Sequence, residues 1–223
     1  MNFSTACVLG LALGFAALPA AAQEPAAGAA LSLERLLQAM STRSGLSAAF
    51  DERKELALLS APLESRGWLY FVPPDRFARF TTQPEATALI IDGDRVRFRE
   101  GSEGEELDLS ENPMTRAFVE NFVALWSGDR ERLERLYSVS IRSEGERWEL
   151  SLVPRDAPLD RFIEEVALRG RREQLEQMTV RERDGDRTVT TIRSVRRDRS
   201  FGPREIERIF ARGVPADEPV DGP

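Results

Sequence analysis

The residues best suited to catalysis are two pairs of adjacent carboxylates, Glu105–Glu106 and Glu164–Glu165. Two carboxylates are sufficient for general acid and base catalysis, as in glycosidases. Neighbouring side chains on a strand point to opposite faces of a sheet, however, so neither pair can act on one substrate bond. We therefore interpret both pairs as solvated surface charge.

Other catalytic side chains are scarce. The chain has no histidine, and its one cysteine, Cys7, lies in an apolar N-terminal segment. This composition excludes Ser–His and Cys–His nucleophile pairs beyond that segment, together with the usual zinc, copper and non-haem iron ligand sets. The Gly101–Gly104 segment lacks the lysine and the helix start that a phosphate-binding loop requires. We expect a non-enzymatic protein with no cofactor and no metal.

The charge pattern argues against nucleic acid as a partner. The chain has 31 basic and 38 acidic residues and a net charge of −7. Its arginines are scattered among glutamates, whereas binding to a phosphate backbone requires a clustered basic surface. We expect a monomer that does not bind nucleic acid.

The N-terminus has the pattern of an export signal. Ala6 to Leu18 is apolar and too short to span a bilayer, and Ala20–Ala22 precedes Gln23 as a small-residue cleavage site. A buried N-terminal helix is the alternative. We predict a signal peptide at 1–22, a linker at 23–31, one binding domain at 32–212 and a disordered tail at 213–223, in a periplasmic protein.

Apolar periodicity then predicts the elements. Ser32 is a candidate N-cap of a helix that ends at Gly45, and Gly101–Glu106 is predicted as a turn. A helical insertion begins near Pro113 and continues, after an Asp129 cap, to Leu136. The predicted strands are 46–51, 63–72, 76–82, 87–91, 95–99, 137–143, 147–153, 162–168 and 175–191. The last of these is predicted to fold back on itself at 184–186. A final helix is predicted at 203–211.

This order of elements predicts a mainly β fold with some α-helix. Hairpin-connected strands with one apolar face favour an antiparallel sheet, and a single sheet of this size tends to curl. The inner face then needs a cover. The 113–136 insertion, with its apolar stripe of Phe118, Phe122 and Trp126, is the candidate.

A resemblance adds to this interpretation. Gly67-Trp68-Leu69-Tyr70-Phe71, Pro73-Pro74-Asp75-Arg76-Phe77, Thr82-Gln83-Pro84, Ile91 to Phe98 and Trp148 to Pro154 follow one another at spacings that resemble the LolA family of periplasmic lipoprotein carriers. The resemblance extends from about Leu33 to Val195 and rests on the ordered series, because no single motif is diagnostic.

The resemblance implies an unclosed antiparallel β half-barrel covered by a helical lid. It implies a carrier that binds the acyl chains of lipoproteins or another lipid cargo, receives them from an inner-membrane transporter and delivers them to an outer-membrane acceptor. LolA proteins usually carry a lid-latching arginine where this chain has Pro73. A latch must then come from elsewhere, with Arg76 or Arg79 as candidates, and a divergent branch with a different acylated cargo is implied.

Strand parity predicts the cavity lining. If Pro73 keeps the inward position of the family arginine, Leu69 and Phe71 face the cavity while Trp68 and Tyr70 face away. An ordinary packed core requires the same residue types. The predicted ligand-binding residues are Phe50, Leu69, Phe71, Phe77, Val96, Phe98, Phe118, Phe122 and Trp126.

Two other functions stay open at this point. A LolA-like fold also serves as the sensing domain of an envelope-stress regulator, which would bind an inner-membrane anti-sigma partner and transfer no lipid. An enzyme acting on lipid-linked substrates is the third class, and it would depend on individual carboxylates for turnover.

Overall fold

The computed structural model of the chain describes residues 32–40, 44–101, 103–111, 116, 119–120, 123–124 and 129–216. One antiparallel sheet of eleven strands forms most of this part of the protein. Its strands are β1 Leu46–Glu55, β2 Leu63–Val72, β3 Arg76–Gln83, β4 Thr87–Asp92, β5 Arg95–Glu100, β6 Glu103–Asp108, β7 Tyr137–Glu144, β8 Arg147–Pro154, β9 Ile163–Arg171, β10 Gln174–Glu182 and β11 Arg187–Arg197.

The strand order is β6-β5-β4-β3-β2-β1-β11-β10-β9-β8-β7. Two meanders are therefore joined through β1 and β11, which pair from Leu46 opposite Arg197 to Glu55 opposite Arg187. The outermost strands, β6 and β7, do not pair with each other in the described part of the chain. The predicted half-barrel is confirmed as an antiparallel sheet that is not closed.

The helices are short. They are α1 Leu33–Met40, α2 Arg130–Leu136 and α3 Pro203–Ile206, with a 3₁₀ turn at Leu159–Arg161 and a π turn at Glu207–Ala211. The side chains of Ser32 and Asp129 accept hydrogen bonds from the backbone N–H groups of Arg35 (3.2 Å) and Arg132 (3.0 Å), so both predicted caps form. Among the described residues, no helix combines the length and apolar character needed to cross a bilayer.

The larger core lies on one face of the sheet, here called the inner face. It combines Phe71 and Phe77 from one meander with Leu150 and Val166 from the other. Because strands far apart in the sheet order share one cluster, the sheet curls around it. Helical residues cover this cluster from above: Leu36, Leu37, Val123, Ala124 and Leu133.

A second core lies on the opposite, outer face. Tyr70, Phe80 and Ile90 pack there against Ile209 and Phe210 of the C-terminal segment. Within 213–223, for which the sequence predicts disorder, residues 213–216 are described, and Ala216 belongs to this second cluster. The C-terminal segment is therefore a structural layer of the outer face.

One predicted element is wrong. Gly101–Glu106 was expected as a turn, but Glu103–Asp108 forms β6 and pairs with β5 from Arg95 opposite Asp108 to Glu100 opposite Glu103. Opposite charges across the two strands offset the low strand propensity of glycine and glutamate. Arg95 and Glu106, for example, form an ion pair of 3.6 Å.

At two strand positions, neighbouring atoms lie so close to the backbone that only glycine fits. A Cβ atom on Gly67 of β2 would lie 1.8 Å from the carbonyl oxygen of Phe80. One on Gly170 of β9 would lie 2.4 Å from the indole ring of Trp148. At both positions the sheet can curl and pack only because no side chain is present.

Candidate functional site

Five of the predicted ligand-binding residues come together on the inner face. Phe50, Leu69, Phe71, Phe77 and Val96 belong to one cluster, and each is at most 7% exposed. Tyr70 lies in the outer-face cluster and Trp68 packs against it, so the predicted parity of β2 is confirmed.

The other four predicted ligand-binding residues are not among the described residues of this cluster. Phe98 has the parity of Val96 but is 44% exposed and lies outside the cluster. Phe118, Phe122 and Trp126 lie outside the described residues. Their neighbours Val123 and Ala124 are buried in the inner-face cluster, at 4% and 0% exposure.

The cavity between the inner-face cluster and the covering segment is small. A cavity of about 330 Å³ lies where Val119 and Val123 meet Ile91 and Leu109. This volume is near the lower end of the range for small-molecule sites. Phe50 and Phe71 are only 1% and 2% exposed, so a ligand could contact them only after the residues packed on them had moved.

A polar contact holds the cover to the sheet. Arg116 donates from Nε to the carbonyl of Leu109 (3.1 Å) and from Nη2 to Oδ1 of Asp94 (3.1 Å) in the β4–β5 turn. The arginine comes from the covering segment, whereas the family arginine sits on the strand at the position of Pro73. The sequence alone did not identify Arg116.

The two arginines predicted as replacements lie on opposite faces. Arg76 points outward, where it pairs with Asp92 (2.7 Å) and lies 6.0 Å from the ring centre of Phe210. It cannot reach the inner-face cover. Arg79 points inward and pairs with Glu52 (2.6 Å), so no described residue of the cover is its ion-pair partner.

The inner face changes character along its strands. Inward positions of β1 are Leu46, Ala48 and Phe50, followed by Glu52 and Lys54. Lys54 pairs with Glu182 of β10 at 3.7 Å. The end of the inner face near the cover is thus apolar, and the opposite end is charged. Alternation from Phe77 to Arg79 along β3 could have revealed this gradient in the sequence.

The two carboxylate pairs lie at the surface of the sheet and do not converge on one face. Glu165 lies on the outer face, where Arg181 and Ser151 both donate to it, while Glu164 is exposed. Glu105 and Glu106 are exposed on β6.

Three other acids, Glu182, Asp184 and Asp186, have carboxylate oxygens within 4.8 Å of one another. Lys54 pairs with Glu182, and the Ala57 N–H donates to Asp186 (2.9 Å), so these acids support the β10–β11 turn.

Comparison with known families decides the classification. The family described as "Outer membrane lipoprotein carrier protein LolA-like" matches residues 25–201. The chain belongs to this family. No protein of curated function matches this LolA-like chain.

Solved structures similar to the LolA-like chain have low sequence identity. A LolA superfamily protein from Nitrosomonas europaea has 13% identity and a TM-score of 0.44, covering 81% of this chain and 96% of its own. A domain from Vibrio parahaemolyticus, named for outer membrane lipoprotein sorting, has 9% identity and a TM-score of 0.43, covering 80% and 96%. The MucA/MucB complex of Pseudomonas aeruginosa has 13% identity and a TM-score of 0.46, covering 78% and 58%.

Proposed function

We propose that this LolA-like chain is a periplasmic, non-enzymatic carrier that binds acyl chains on the inner face of its sheet. The observation that carries the proposal is the apolar inner-face cluster beneath a separate helical cover, in a chain of this family. Each methylene group removed from water contributes about 0.8 kcal/mol, so a long acyl chain gains free energy that offsets the cost of displacing the cover.

The cargo is the acylated part of a lipoprotein or another lipid, received from an inner-membrane transporter and passed to an outer-membrane acceptor. The export pattern of Ala6 to Ala22 supports the periplasmic location. Burial of Phe50, Leu69, Phe71, Phe77 and Val96 supports their role as the surface exposed to cargo once the cover moves. Phe118, Phe122 and Trp126 would supply the facing side of the cover.

The test is to lock the cover. A chain beginning at Gln23 contains no cysteine, so cysteines introduced at Asp94 and Arg116, whose side chains are 3.1 Å apart, can be joined by a bis-maleimide. The free double variant should take up a fluorescent fatty-acyl probe, and the cross-linked form should not. The matched control joins cysteines at Asp51 and Arg193, an outer-face pair of 2.7 Å, and should leave uptake unchanged.

Equal uptake by the locked and free forms would contradict a gated carrier. Absence of uptake by every form, together with no lipid in native mass spectra of protein purified from periplasm, would mean that the inner-face cluster is an ordinary core. A stable complex with an inner-membrane anti-sigma protein would then identify the chain as a regulator.

A further inference from the structure

An ion pair lies among the apolar residues of the inner face. Glu52 and Arg79 have side-chain exposures of only 18% and 27%. Arg79 sits opposite Leu69 on the neighbouring strand. Its guanidinium carbon lies 4.5 Å from the ring centre of Phe50. Both apolar neighbours are part of the proposed acyl-binding surface.

Glu52 and Arg79 differ in how many of their hydrogen-bonding atoms already have a partner. One oxygen of Glu52 accepts from Arg79 Nη2 (2.6 Å), and the other accepts from the Thr190 hydroxyl (2.9 Å). A guanidinium has five N–H donors. Within the described residues, Arg79 donates only to Glu52. Arg79 therefore keeps donors for an additional acceptor, whereas each oxygen of Glu52 already has a partner.

The surroundings favour an anionic acceptor. Phosphate and carboxylate oxygens match the planar donor fork of arginine, and such charge-assisted bonds are stronger than neutral ones. Partial burial strengthens them further, because water competes less for the donors. The Phe50 ring stacks beneath the guanidinium and limits the directions in which it can turn.

The gradient along the inner face gives the ligand a direction. An acyl chain lying against Phe71 and Phe77 would extend towards Arg79, where the inner face becomes polar at Glu52 and Lys54. A ligand with an apolar tail and an oxyanion at one end fits this arrangement. A purely apolar ligand would leave the spare donors of Arg79 without an acceptor.

We propose that Arg79 is a head-group subsite that binds the oxyanion, phosphate or carboxylate, of an amphiphilic cargo. Glu52 holds the guanidinium in position and competes with the ligand for it. The inference rests on the proposed carrier function and specifies the class of cargo.

The experiment compares two twelve-carbon probes, dodecyl phosphate and dodecanol, by calorimetric titration below their aggregation concentrations. The wild-type protein should bind dodecyl phosphate at least about tenfold more tightly than dodecanol. R79Q should lose this preference while its affinity for dodecanol stays within about twofold. E52Q should bind dodecyl phosphate more tightly, because a competing carboxylate is removed.

The matched controls are R193Q and D51N, which break an ion pair of 2.7 Å on the outer face of the same region of β1. Both should bind as the wild type does. An equal loss in R79Q and R193Q would indicate general electrostatic attraction and would overturn the subsite.

Failure of the subsite and failure of the carrier function give different results. If the wild-type protein binds both probes equally, the subsite is wrong and the carrier function stands. If it binds neither probe, the carrier function fails as well. Should R79Q not fold, E52Q decides the matter, since an affinity for dodecyl phosphate that does not rise contradicts the proposal.

Discussion

Tyr137, at the junction of α2 and β7, has a titratable hydroxyl on a side chain only 1% exposed. Burial raises the pKa of Tyr137 above its ordinary value of about 10. A raised folded-state pKa means that the full stability contribution is present below pH 10. It is lost as pH rises further, because the unfolded chain releases this proton while the folded chain retains it.

We therefore expect Tyr137→Phe to reduce the alkaline loss of stability. Melting temperatures measured at pH 7 and pH 10.5 should fall less in the variant than in the wild type. The comparison uses the change with pH, so any effect of the lost hydroxyl at pH 7 cancels. An identical fall in both proteins would mean that Tyr137 does not titrate differently on unfolding.

For a single residue, the sequence predicts the face of the sheet on which the side chain lies better than it predicts how deeply that side chain is buried. Val96 and Phe98 alternate with arginines on β5, and their positions in the strand place both side chains on the same face of the sheet. Val96 is 7% exposed and Phe98 44%, because burial also depends on what lies above the sheet. That cover comes from residues distant in sequence, which the alternation of one strand does not encode.

Among the elements, the covering segment is joined to the sheet through Arg116, one of its described residues. Arg116→Ala removes the hydrogen bonds to Leu109 and Asp94. The Arg116 side chain is 38% exposed, so solvent screening limits its contribution to about 1 kcal/mol. Hydrogen exchange at residues 119, 120, 123 and 124 should therefore accelerate roughly fivefold.

Arg130→Ala provides the control for this experiment. Arg130 pairs with Glu134 within α2 (2.8 Å) and does not bridge to the sheet. Exchange at residues 119, 120, 123 and 124 should be unchanged in this variant. Equal rates in the wild type and Arg116→Ala would show that apolar packing alone holds the cover.

The C-terminal segment stabilises the other face. Phe210 is 1% exposed and packs in the outer-face cluster, although it lies beyond residue 201, where the family match ends. Phe210→Ala should lower the free energy of unfolding by about 3–5 kcal/mol in chemical denaturation. Val214→Ala, in the same segment but 39% exposed, should change it by less than about 0.5 kcal/mol.

Most element positions follow from the sequence, and the exceptions have physical causes. Asp92-Gly93-Asp94 predicts the β4–β5 turn, and periodicity predicts α2 and the strands beside it. β6 was missed because its glutamates and glycine have low strand propensity, and the arginines of β5 compensate for this only after pairing. Cross-strand compensation is a tertiary effect that a local pattern does not contain.

For the whole molecule, the order of strands along the chain predicts hairpins but not the β1–β11 pairing that joins the two meanders. The resemblance to the LolA family implies an unclosed sheet but does not specify this pairing. The inner-face ion pair and the contact of Arg116 with Asp94 likewise join residues that are 27 and 22 positions apart. Neither could be derived from the spacing of residues alone.

An unclosed sheet also leaves a strand with unpaired backbone groups along its edge. All six residues of β6 are exposed, and four of them, Glu103, Glu105, Glu106 and Asp108, are acidic. Such an edge is a template for adding strands from another molecule, and like charges oppose that addition. The negative charge of β6 therefore opposes the addition of a strand at this edge.

Neutralising that edge should cause self-association. A triple variant with Glu103→Gln, Glu105→Gln and Glu106→Gln should show a larger apparent mass by light scattering than the wild type at the same concentration. A control with Glu64→Gln, Glu131→Gln and Glu173→Gln changes the net charge equally at exposed positions elsewhere and should have the same apparent mass as the wild type. An unclosed sheet thus lets the charge of a single edge strand decide whether separate molecules associate.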